Sequence, residues 1–156
     1  MTHHFNYWLT GAGWAEVFLT SEKQNIRFEL SYLSDPLADL FEGLCRLIND
    51  QSDIERIAFF DEPGEHSLVI SRLDKDEIKI EIFLDKEKEG INDTDESQDT
   101  GELIYSDTDN LRNLGLIICA GIDSLLARHS LKEYKEKWIS FDFPLDKYKQ
   151  LKQQLS

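Results

Sequence analysis

Residues 26–48, IRFELSYLSDPLADLFEGLCRLI, change their hydrophobic period partway along. From Ile26 to Leu30 apolar and polar side chains alternate, the pattern of a strand with one dry and one wet face. Beyond Asp35-Pro36 the apolar residues return at helical spacing as Leu37, Leu40, Phe41, Leu44 and Leu47 or Ile48. That spacing lays a single apolar stripe along a helix. Asp35 is placed to cap it, and Pro36 suits its first helical position, where the missing N–H has no intrahelical partner to lose. Asn49 to Ser52 ends the helix.

Working outward toward the N-terminus, residues 5–9 and 14–19 are aromatic and β-branched, joined by Gly11-Ala12-Gly13. Two glycines in that arrangement fit a hairpin or a bulge, so the first three segments read as an antiparallel meander. Toward the C-terminus, residues 57–60 and 67–70 flank a turn, Asp61-Glu62-Pro63-Gly64-Glu65, whose proline and glycine supply turn chemistry. Ile78, Ile80, Ile82 and Leu84 alternate with charged residues and predict another strand, and Leu103-Ile104-Tyr105 predicts a short one. The intervening stretch, about 85–101, is acidic and has one large hydrophobe, Ile91, so a mobile loop is expected.

A long helix is expected from about Asn110 to His129, capped by Asp107 or Asp109. It is apolar nearly all round at 116–120, which predicts the central core element. Ser130-Leu131-Lys132-Glu133 fits a capping box for a further helix through Trp138, and an amphipathic helix closes the chain at 145–155. The order argues an α+β class. The expected architecture is one domain over 1–156, a twisted antiparallel sheet of about six strands with two to four helices on one face.

The chain has 156 residues and a formal net charge of −14, which repels a phosphate backbone and disfavours nucleic acid as a partner. A basic protein is the partner that such acidity favours, chiefly through its association rate. Cys45 and Cys119 stand in apolar helical contexts and read as free thiols, with a bridge open to them only if their helices pack together. No basic segment followed by an apolar run opens the chain, and residues 114–122 are too few for a membrane span, so a cytoplasmic location is expected.

No stretch carries a catalytic or cofactor signature, and neither a cofactor nor a metal is expected. Gly11-Ala12-Gly13-Trp14 lacks the lysine and hydroxyl of a phosphate loop. Asp93, Asp95, Ser97 and Asp99 alternate as in a calcium loop, but Gln98 and Ile104 stand where glycine and glutamate are needed. The densest polar cluster is Asp61, Glu62, Glu65 and His66, read here as a hairpin turn whose charges face water. Most tryptophans and tyrosines read as core, but any exposed beside carboxylates would form a protein-binding patch.

Three segments stand out together: Tyr7-Trp8-Leu9 with Gly11 and Gly13-Trp14-Ala15, Ser31 to Leu37, and Phe60 to Glu65. They resemble segments of small bacterial proteins, some of them similar to immunity proteins of polymorphic or contact-dependent toxin systems. The resemblance implies a cytoplasmic antidote that binds and blocks a toxin domain, many such toxins being basic nucleases. The leading expectation is therefore a non-enzymatic acidic protein-binding domain. Its contacts are nominated on charge as Asp61, Glu62, Glu65, His66, Asp95, Glu96 and Asp99. Two alternatives remain: a small-molecule-binding or hydrolytic domain with a pocket between sheet and helices, and a homo-oligomeric structural or regulatory subunit.

Overall fold

The computed structural model describes residues 3–31, 34–61, 64–85 and 101–156. The first three strands, β1 (His4–Gly11), β2 (Trp14–Thr20) and β3 (Asn25–Ser31), form an antiparallel meander in the order β1-β2-β3. Gly11, Ala12 and Gly13 all have positive φ, at 101°, 57° and 83°, so the β1–β2 turn needs backbone that side chains rarely adopt. The pairing register shifts between Leu9 and Gly11, the irregularity that the two glycines predict.

Helix α1 (Pro36–Ile48) follows, with Asp35 as N-cap accepting from the Ala38 N–H and Pro36 in the first turn. Four more strands make a second antiparallel sheet, β4-β5-β6-β7: β4 (Ile54–Asp61), β5 (Gly64–Arg72), β6 (Glu77–Asp85) and β7 (Glu102–Asn110). Three helices complete the chain: α2 (Leu111–Arg128), α3 (Leu131–Trp138) and α4 (Leu145–Leu155). The class is α+β. The strands divide into two sheets rather than one because β3 and β4 meet at the junction without ladder pairing.

Two local differences have clear causes. The strand expected at 103–105 is β7, nine residues long, because backbone pairing with β6 continues through the polar run 106–110. Neither Asp107 nor Asp109 caps α2: the cap is Asn110, whose side chain accepts from the Asn113 N–H, while both aspartates belong to the strand. The capping box of α3 forms in full, with the Ser130 and Glu133 side chains each accepting the other's backbone N–H.

Leu114 and Ile118 of α2 meet Phe5, Val17 and Phe28 from the first sheet and Phe59, Leu68 and Ile80 from the second, making α2 the central core element. The space those side chains enclose is about 20 Å³, room for roughly one water and no ligand. Helix α2 also seals the edge of β1. A Cβ at Gly121 would stand 2.3 Å from the Phe5 carbonyl oxygen, so only glycine permits this approach. Two residues along the strand, the Tyr7 carbonyl accepts from the Arg128 guanidinium at 2.8 Å. An edge strand is thereby closed to further pairing. Cys45 and Cys119 are both buried and free, and burial pushes the Cys119 thiol up to about 11. No single helix among the described residues is long and apolar enough to cross a membrane.

Candidate partner-binding surface

The seven nominated contacts occupy different situations. Asp61 ends β4 and pairs across the hairpin with Gly64. Glu65 and His66 belong to β5 and are 5% and 6% exposed, so they do not face water as turn residues would. Successive strand side chains point to opposite faces, which separates these two. The Glu65 carboxylate accepts from the Ser67 hydroxyl at 2.8 Å. His66 turns inward and stacks on Phe28 across the junction of the two sheets, with ring centroids 4.1 Å apart. Burial pushes its imidazole down to about 4. Glu62, Asp95, Glu96 and Asp99 lie outside the described residues, as does most of the expected acidic loop.

The charge is unevenly distributed along the fold. Residues 1–110, which hold every strand, contain 26 of the 31 acids and nine of the 17 lysines and arginines, a net −17. Residues 111–156, the last three helices, carry +3.

Tyr7, Tyr105, Tyr134, Tyr148 and Trp138 are buried, as expected of core aromatics. Trp8 is not. It is 43% exposed on the outer face of the first sheet, directly opposite Glu16 on β2, which in turn lies opposite Glu29 on β3. One row across three strands thus reads aromatic, carboxylate, carboxylate. The neighbouring row is Asn6, Phe18 and Arg27, and Arg27 reaches diagonally to Glu16 at 2.7 Å. Trp14 and Phe18 are partly exposed on this face. The Arg128 guanidinium lies over the Trp8 ring, 3.8 Å from its centroid. Trp8 is thus an exposed aromatic beside carboxylates, the arrangement singled out from the sequence.

Two other polar sites came from pairings that the sequence does not display. His3 is fully buried; its Nδ1 lies 2.7 Å from an Asp109 oxygen and its Nε2 3.5 Å from an Asp107 oxygen. Asn113 donates to both oxygens of Asp109, at 2.9 and 3.1 Å. This cluster ties the segment before β1 to β7. No group of three or more potential metal ligands occurs among the described residues. An open cleft of about 430 Å³ lies where α1 ends and α2 begins, lined by Arg72, Lys75 and Arg112 and by Asp50, Asp53 and Asp76. Its charges balance, and Arg72 is held by Asp53 and by the Leu47 carbonyl at the end of α1.

No protein-family model matches the chain, and no curated protein does. Among solved structures it is similar to a chain of the CdiA-CT/CdiI toxin and immunity complex from Enterobacter cloacae. The identity is 12% and the TM-score 0.45, over 76% of this chain and 99% of that one.

Proposed function

We propose that the chain is a non-enzymatic acidic protein-binding domain whose partner is basic, in the finer reading an immunity protein that neutralises a basic toxin domain. The observation that carries the proposal is the concentration of charge: a net −17 in the strand-bearing residues 1–110. A field of that sign steers a cationic surface toward residues 1–110 rather than toward α2, α3 and α4. On this reading Asp61, Glu62, Asp95, Glu96 and Asp99 act as steering acids, Asp61 from the end of β4. Glu65 and His66 support the hairpin from within it, since both are buried.

The test is a pull-down against toxin domains encoded beside the gene, at about 50 and 300 mM salt. Capture that weakens at the higher salt supports the proposal. Capture of nothing at either salt removes it.

A further inference from the structure

The outer face of the first sheet combines features that folding alone does not call for. Glu16 and Glu29 are directly opposite on β2 and β3, an arrangement that costs stability between like charges. Arg27 relieves Glu16 only, at 2.7 Å, and no ion pair to Glu29 occurs among the described residues. Trp8, at 43% exposure, completes the row on β1, with Phe18 and Trp14 partly exposed beside it. An added cation would answer both deficits: it would pair with the unmatched carboxylate and lie against an aromatic face. The molecule already shows that this face accepts a planar cation, because the guanidinium of Arg128 covers the Trp8 ring at 3.8 Å.

We infer that this face, centred on Trp8, Glu16 and Glu29 with Phe18 and Trp14 alongside, anchors the basic partner by receiving arginine side chains. The inference rests on the proposed binding role and gives it a place. The charge fits one occupant: a protein surface whose arginines stack on the aromatics while pairing with Glu29. Aromatic anchors of this kind carry most of the energy of an interface, and carboxylates fix its register.

The experiment is a titration of the full-length, 15N-labelled protein with a short synthetic peptide of alternating arginine and glycine. The chain's three tryptophans give three indole N–H signals, and Trp138, at 0% exposure, is an internal reference. Saturable shifts of the Trp8 and Trp14 signals with Trp138 unmoved are expected. Glu29→Lys should weaken the peptide about tenfold. Glu77→Lys, an equal charge change at an exposed position on the second sheet, should weaken it far less. Because Glu29 is exposed, its replacement leaves the core untouched. Peptide binding that leaves Trp8 and Trp14 unmoved, or equal effects of the two lysine variants, would overturn the assignment of the face while leaving the acidic binding role standing. A peptide that binds nowhere would overturn both.

Discussion

Arg128, the last residue of α2, stands over the ring of Trp8 at 3.8 Å while donating to the Tyr7 carbonyl beside it. One side chain therefore closes the edge of β1 and stiffens the most exposed aromatic on the outer face. Replacing it with alanine removes a cation–π contact and a charge-assisted hydrogen bond. Arg128→Ala should cost about 1–2 kcal/mol in urea denaturation. The Trp8 indole signal should move as the ring loses its cover. Arg128→Lys should recover part of the stability but less of the signal position, because an ammonium does not stack as a planar fork does.

Two glycines in α2 separate close backbone packing from simple helix propensity. At Gly121 an added Cβ would meet the Phe5 carbonyl oxygen at 2.3 Å, and neither backbone can give way. At Gly115 it would meet only the flexible end of the Leu155 side chain, at 3.0 Å. Gly121→Ala should destabilise by about 2–3 kcal/mol despite alanine's better helix propensity. Gly115→Ala should lie within about 1 kcal/mol of the parent, since the propensity gain offsets a small side-chain shift. Equal midpoints for the two variants in thermal melts would contradict the close approach of α2 to β1.

Much of this arrangement is legible in the sequence, and what is hidden has a physical reason. The change of period between Leu30 and Leu37 gives strand then helix, because local alternation and a local apolar stripe are enough to decide it. Gly11 and Gly13 announce their turn because positive φ demands them. The division into two sheets is not local, and no residue of β3 or β4 states which strand it avoids. The full length of β7 is hidden because Asp107 and Asp109 turn inward, and the side chain that meets them there is His3, 106 positions before Asp109. His66 misleads for the same reason: charge beside a turn suggests solvent, while Phe28, 38 positions earlier, supplies the ring on which it stacks.

His66 also sets a pH dependence. Its imidazole titrates near 4 in the folded protein, because burial disfavours the charged form, and near 6.5 in the unfolded chain. The unfolded state therefore takes up the proton first as the solution is acidified. The stability associated with neutral His66 is complete above about pH 6.5, falls as pH drops toward 4, and levels below that. Over the full window the loss is about 3 kcal/mol. Urea denaturation between pH 7 and pH 4 measures it, and His66→Phe should flatten that part of the curve by keeping the aromatic stack without a titrating nitrogen. An unchanged slope in the variant would show that other groups govern the acid limb.

His3 offers the sharpest test of how the two sheets are tied together. The side chains of Asp107 and Asp109 are 7% and 5% exposed, and His3 lies between them with no exposure at all. Removing the imidazole takes away the 2.7 Å partner of Asp109 and the 3.5 Å neighbour of Asp107 while both carboxylates stay buried, and a buried polar group that loses a partner costs more than the contact itself contributes. His3→Ala should destabilise by about 3 kcal/mol in denaturation at neutral pH, much more than truncation of a terminal residue ordinarily does. Amide exchange in β7 should rise at the same time, because this cluster and the Gln24 side chain accepting from the Ser106 N–H are both contacts from the meander to that strand. If the cost is electrostatic, adding Asp107→Asn and Asp109→Asn to His3→Ala should restore part of the loss, since neutral amides are less costly to bury than carboxylates. If it is packing, the triple variant should be less stable than His3→Ala alone. The sign of that difference separates an ion cluster that locks β7 to the meander from a histidine that merely fills space.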